Sequence, residues 1–122
     1  MGIIKIEEKG KNNLVHLEGD FVTNDDINNL RSTLRALAER ENNFAIANLA
    51  KTNFLSSAAL GVLLSANALF ERQNGKIVLC SPNDYILNLF KITKLDLILD
   101  ILPTIKYAEK KLEDYRSKSD NN

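Results

Sequence analysis

A second cysteine is missing from this chain of 122 residues. With Cys80 alone no internal disulfide can form, so the fold rests on burial, as in proteins of a reducing compartment. His16 is equally alone, and without a second imidazole or thiol beside it the usual nitrogen–sulfur ligand sets for transition metals cannot be assembled. There is no glycine-rich phosphate loop, no nucleophile elbow and no Cys–His pair. Neither sign of charge is in excess, with 16 basic and 16 acidic side chains. That balance argues against a general binder of nucleic acids or anionic membranes. No apolar run reaches membrane-spanning length, and the N-terminus reads as a charged strand rather than a basic-then-apolar leader. Asp25, Asp26, Asp96 and Asp100 are explained by helix starts and strand alternation rather than by acid–base pairing. The expectation is a cytoplasmic, non-catalytic domain with no cofactor, no metal, no nucleic-acid partner and no membrane partner.

An apolar content of 44% suits one compact domain with a single core. Ile4 and Ile6, then Val15 and Leu17, alternate with polar neighbours around the turn Lys9-Gly10-Lys11-Asn12-Asn13, which predicts a β-hairpin. His16 then points away from Val15 and Leu17, toward solvent. Thr23 caps a helix carrying Asp25 and Asp26 in its first turn and Ile27, Leu30, Leu34 and Leu37 on one face. Phe44–Leu49 predicts a strand, residues 57 to about 73 a helix ended by Asn74-Gly75, and Lys76–Cys80 a strand that buries Cys80 as a small hydrophobe. Ser81-Pro82 reads as the cap and first residue of a third helix with Ile86, Leu89 and Phe90 inward. Leu95, Leu97, Leu99 and Ile101 alternate as a last strand. After Pro103 an amphipathic helix buries Ile105, Ala108, Leu112 and Tyr115. The order β-β-α-β-α-β-α-β-α predicts an α/β domain: a mixed, mostly parallel sheet of about five strands with about four helices, opened by the hairpin. Residues 1–116 form the domain, and 117–122 a polar, disordered tail.

The segment Asn53-Phe54-Leu55-Ser56-Ser57-Ala58-Ala59-Leu60-Gly61-Val62-Leu63-Leu64 brings two hydroxyls to a helix start. Free N–H groups and the positive end of the helix dipole favour a phosphate there, bound or covalently attached. An ordinary N-cap at Ser56 or Ser57 is the plainer alternative. A helical wheel puts Ala58, Ala59, Val62, Leu63, Ala66, Leu69 and Phe70 on the core face. Leu60 and Leu64 fall opposite with Asn67 and Glu71, as an apolar docking patch beside the serines or as leucines covered by a neighbour.

Phe54-Leu55-Ser56-Ser57-Ala58-Ala59-Leu60-Gly61-Val62 resembles the core motif of STAS domains, the fold of bacterial anti-sigma-factor antagonists: an aromatic, an apolar residue, Asp, a phosphorylatable Ser, Ser/Thr/Ala, Gly, Leu, Gly and Val. Asn74-Gly75-Lys76 before Val78-Leu79-Cys80, and Leu89-Phe90 before Ile92-Thr93-Lys94-Leu95, are also typical of that family. Ser57 matches the regulatory phosphoserine, with Ser56 as the second candidate. Ser56 stands where the family has Asp, Ala59 where it has its first Gly, and Val22 where an acidic residue often follows the second strand, Asp20 and Asp25 being the nearest carboxylates.

The resemblance implies a partner switch. The unphosphorylated domain would bind an anti-sigma factor that is usually a serine-protein kinase, through Asp20, Thr23, Ser56, Ser57, Leu60, Gly61 and Leu64. Phosphorylation of Ser57 would end the interaction, and a serine phosphatase would restore it. The domain would act as a monomer or weak dimer. A second reading is a STAS scaffold or regulatory subunit of a larger signalling or transport complex, docking without phosphorylation. A third is a small-molecule or nucleotide sensor.

Overall fold

The computed structural model describes residues 1–120. The chain runs β1 (Gly2–Lys9), β2 (Asn12–Phe21), α1 (Asn24–Ala38), β3 (Phe44–Asn48), β4 (Thr52–Leu55), α2 (Ser57–Arg72), β5 (Lys76–Cys80), α3 (Asp84–Ile92), a 3-10 turn at Leu95–Leu97, β6 (Ile101–Leu102) and α4 (Ile105–Asp120). The sheet has the order β1-β2-β3-β5-β6, with β1 antiparallel to β2 and the other pairings parallel. This is the mixed, mostly parallel sheet opened by a hairpin that the alternation of strands and helices predicted, with four helices and six strands rather than five among the described residues.

The extra strand is β4, in a stretch the sequence presented as a short polar link. β2 is ten residues long, and its first half pairs with β3 while its last residues pair with β4. Leu49, Ala50 and Lys51 interrupt what would otherwise be one strand, with Asn48 Oδ1 accepting from Ala50 N at 3.1 Å and Leu49 O accepting from Thr52 N at 3.0 Å. Pairing resumes when Thr52 Oγ1 donates to Leu17 O at 2.6 Å. The ladder shifts register beside Gly19, whose φ of +90° suits glycine and whose missing Cβ leaves room for Met1 O.

Both faces of the sheet are covered at its centre, which is why every residue of β5 is buried, while the edge strand β1 stays largely exposed. On one face Val15, Leu17, Phe21, Ala47 and Leu79 pack against Leu30 and Leu34 of α1, Leu63 and Phe70 of α2, and Ile86 and Phe90 of α3. On the other, Leu14, Ile46, Val78 and Cys80 lie under Ala108 and Leu112 of α4. No helix among the described residues is long and apolar enough to cross a membrane.

Three local expectations need correction. Helix α3 is capped by Asn83, whose Oδ1 accepts from Ile86 N at 2.8 Å, and not by Ser81, which has a left-handed φ of 59°. Pro82 therefore lies before the cap rather than at the first helical position. Leu95–Ile101 is not a strand: Lys94 turns left-handed, a 3-10 turn follows, and only Ile101 and Leu102 join the sheet. The spacing of Leu95 and Leu99 also fits one helical turn, so the alternation was ambiguous; Leu99 enters the core while Leu97 stays 80% exposed. Finally, α4 continues through Ser117–Asp120, where the polar composition suggested a disordered tail. Asn121 and Asn122 lie outside the described residues.

Candidate functional site

The C-terminal ends of β2 and β4 lie side by side, with Phe21 opposite Leu55 in the ladder and Ser56 N donating to Phe21 O at 3.1 Å. This pairing carries two helix starts to one end of the domain. Helix α1 begins after Thr23, whose hydroxyl accepts from Asp26 N at 3.1 Å, and α2 begins after Ser56. Of the residues expected to contact a partner, Asp20, Thr23, Ser56 and Ser57 thus come together from separate parts of the sequence.

The two serines differ sharply. Ser56 is the N-cap: its Oγ accepts from Ala59 N at 3.2 Å and its carbonyl accepts from Leu60 N at 3.0 Å. Ser57 is the first helical residue, exposed, and its hydroxyl has no hydrogen-bond partner among the described residues. The cap alternative is therefore taken by Ser56, and Ser57 carries the free hydroxyl.

The docking patch drawn on the helical wheel is not where the wheel put it. Leu60 is 6% exposed and belongs to the core, and Leu64 is half-buried against it. The buried arc of α2 is wide because the helix packs on β4 and β5 beneath and against α1 at its side. Its outward strip consists of Ala58, Gly61, Ser65 and Ala68. Ala58, assigned by the wheel to the core, is exposed. Leu60→Ala is accordingly expected to cost about 2–4 kcal/mol of unfolding free energy, measured by urea denaturation. A loss within the error of that measurement would return Leu60 to the surface.

Exposed apolar area at this end of the domain comes from Val22, which the sequence marked only as a departure from the family pattern, and from Tyr85, which it did not single out. Val22 is 51% exposed in the turn before α1. Tyr85 of α3 is 56% exposed and stacks on Phe54 of β4, with ring centroids 6.3 Å apart. Phe54 was legible as part of the motif, but only the position of α3 beside β4 reveals Tyr85.

The Val22–Thr23 turn is anchored by Asp26. Its carboxylate accepts from Gly2 N at 2.9 Å, Thr23 N at 3.2 Å and Val22 N at 3.3 Å. The Gly2 bond foremost, then those from Thr23 and Val22, hold its pKa down at about 2, against an ordinary 3.8 and against the effect of burial. Because the folded value lies below the unfolded one, this contribution is present in full above the unfolded pKa. It fades as pH falls from about 5 toward 2. Asp26→Asn is expected to flatten the dependence of stability on pH across that interval, read from urea midpoints. An unchanged slope would remove Asp26 from the acid response.

Other polar groups serve the scaffold. His16 Nδ1 accepts from Asn48 Nδ2 at 3.0 Å, which leaves Nε2 to donate to Glu7 Oε1 at 2.7 Å. Burial pushes the Cys80 thiol up, away from the reactive thiolate. Lys76 sits at the start of β5 with its Nζ 2.9 Å from Glu71, 3.4 Å from Asp100 and 4.9 Å from the Tyr115 ring centre. Burial alone would lower its pKa, but the Glu71 hydrogen bond with the charges of Tyr115 and Asp100 raises it instead. Among the described residues no group of three or more His, Cys, Asp and Glu side chains is placed to hold a metal ion.

The architecture is shared with solved structures. A putative anti-sigma factor antagonist from Thermotoga maritima superposes with a TM-score of 0.81 at 17% identity, covering 90% of this chain and 94% of its own. An anti-sigma factor antagonist from Mycobacterium paratuberculosis gives a TM-score of 0.82 at 16% identity, with 93% and 95% covered. The Bacillus cell fate determinant SpoIIAA in its phosphorylated form gives 0.69 at 16% identity, with 89% and 98% covered. At these identities the likeness speaks for the fold. No protein of curated function matches the chain by sequence. The sequence profile of the STAS domain does match, over residues 4–108. That span runs from the first strand, through the serine-bearing start of α2, to the helix on the far face of the sheet, and the chain belongs to the STAS domain family.

Proposed function

We propose that the chain is an anti-sigma-factor antagonist that works by phosphorylation-controlled partner switching, with Ser57 as the phosphate acceptor. The observation that carries this reading is the division of labour between the serines: the Ser56 hydroxyl is engaged as the cap, and that of Ser57 is exposed and free. The partner is an anti-sigma factor with serine kinase activity, and a serine phosphatase resets the switch. In the unphosphorylated state the partner docks on the rim formed by Asp20, Val22, Thr23, Phe54, Ser56, Ser57, Gly61 and Tyr85. Leu60 is excluded by its burial and Leu64 contributes only an edge.

Phosphorylation adds about −1.5 to −2 charges and three acceptor oxygens to Ser57. The start of α2 tolerates that charge, because the first N–H groups of a helix and its dipole favour an anion. A partner surface seated on Val22 and Tyr85 does not, since it would have to desolvate a dianion. The domain is then a ligand and a kinase substrate, and the ATP chemistry belongs to the partner.

The test is intact mass and peptide mapping after incubation with ATP and lysate of the source organism, with Ser56→Ala and Ser57→Ala alongside. One added phosphoryl group, lost only in Ser57→Ala, is the expected result. Protein left unmodified while a control substrate is labelled in the same lysate would overturn the switch. The scaffold reading would then take its place.

A further inference from the structure

A groove of about 620 Å³ runs between α1 and α2 on the outer side of the helical layer. Its floor is apolar, from Leu34, Val62, Ala66 and Leu69. Three arginines line it, Arg31 and Arg35 from α1 and Arg72 from the end of α2, against one carboxylate, Glu39. None of the three takes part in an ion pair among the described residues. Arg31 donates to Asn28 Oδ1 at 3.0 Å, a neutral partner. At Gly61 the groove is open, since a Cβ built there meets nothing within 4 Å.

We infer that this groove is a docking site for an acidic amphipathic helix of a partner protein. Its dimensions suit a helix. From Ala58 to Arg72 the wall of α2 extends roughly 21 Å, about four turns. The openings at Ala58, Gly61 and Ser65 let another backbone approach closely. Arg31 and Arg35 stand one turn apart, so carboxylates spaced four residues apart on the incoming helix meet both. Guanidinium groups left without a counter-charge pair with carboxylates through two parallel hydrogen bonds.

Charge also decides against other occupants. A second copy of this chain docked symmetrically would bring the same three arginines face to face. A nucleic acid would find three cations on a chain whose charges cancel, too few to hold a phosphate backbone at ordinary salt. The groove starts one residue from Ser57, so this inference rests on the reading of the domain as a partner-binding module. It does not require that Ser57 be phosphorylated.

The probe is a fluorescein-labelled, helix-stapled peptide of 18 residues with glutamates four apart on one face and leucine and alanine on the other. Its lysine counterpart serves as control. Titrated into 15N-labelled Ser57→Ala protein, the acidic peptide is expected to shift amide resonances of residues 31–39 and 58–72. Arg35→Glu combined with Arg72→Glu should weaken binding at least tenfold, as should Gly61→Phe, which fills the groove from an exposed position. Raising salt from 50 to 300 mM should weaken it as well. No shifts at 1 mM peptide, equal binding of the lysine peptide, or unchanged affinity in both variants would each overturn the proposal. Because Ser57→Ala cannot accept phosphate at that position, failure here leaves the phosphorylation result standing, and the converse holds too.

Discussion

Gly75→Ala is expected to lower the unfolding free energy by about 2–4 kcal/mol, a melting temperature drop of roughly 8–15 °C for a domain of this size. A Cβ at Gly75 would stand 2.3 Å from Asn43 O and 2.4 Å from Asn43 Cγ, so backbone must move and not merely a flexible side-chain end. Asn43 has little freedom to give way. Its Nδ2 donates to Ala38 O at 3.2 Å and to Gln73 O at 2.8 Å, and its carbonyl accepts from Lys76 N at 3.1 Å. One residue thus ties together the ends of α1 and α2 and the beginning of β5, and displacing it strains all three junctions. Gly61→Ala is the control with the opposite sign. That position is helical and open, so the added methyl should stabilise by about 0.5–1 kcal/mol through helix propensity alone. Thermal unfolding of both variants checks the pair, and equal effects of the two substitutions would show that the Asn43 contact is not restraining.

Gly75 also illustrates how far the sequence could be read. Asn74-Gly75 after an apolar run announced the end of α2, and the structure completes it as a Schellman motif. Asn74 takes the left-handed φ of 63°, its N–H bonds to Glu71 O, and Gly75 N bonds to Phe70 O at 2.8 Å. That much is local chemistry, and local chemistry was legible. The approach of Asn43, more than thirty residues earlier, is a tertiary fact with no local signature. The same division holds elsewhere. Thr23 was readable as the cap of α1 with Asp25 and Asp26 in the first turn, and the structure adds the reciprocal bond by which Asp26 makes it a capping box. β4 was missed because Thr52–Leu55 has no strand-like alternation and is extended only by pairing with the end of β2. Asn83 outcompeted Ser81 as the cap of α3 partly through a distant tie, its Nδ2 donating to Thr52 O at 3.1 Å. At the candidate site, the serine pair and helix start were visible in one stretch of chain. The exposed side of α2 was not, since the wheel could not know that α1 and the sheet together bury so wide an arc.

Ser57→Asp is expected to leave the melting temperature within about 2 °C of wild type while weakening partner binding about a hundredfold, near 3 kcal/mol. The fold is indifferent because the side chain is exposed, makes no hydrogen bond of its own among the described residues, and occupies the first turn of a helix, where a carboxylate is favoured. In the proposed switch, binding is not indifferent, because the carboxylate is added next to the junction of β2 and β4, on the rim proposed to dock the partner, where a charge must be desolvated on binding. Ser57→Ala separates charge from loss of the hydroxyl and should bind as wild type does. Titration calorimetry with the kinase purified from the lysate of the source organism by its activity on Ser57, at fixed ionic strength, reads both variants. Equal affinity of Ser57→Asp and wild type would mean that the partner does not cover the start of α2, and the switch would fail on geometry even if Ser57 were modified. Equal weakening by Ser57→Asp and Ser57→Ala would instead make the hydroxyl a direct contact. In that case the surface is a fixed docking site, the behaviour of a scaffold.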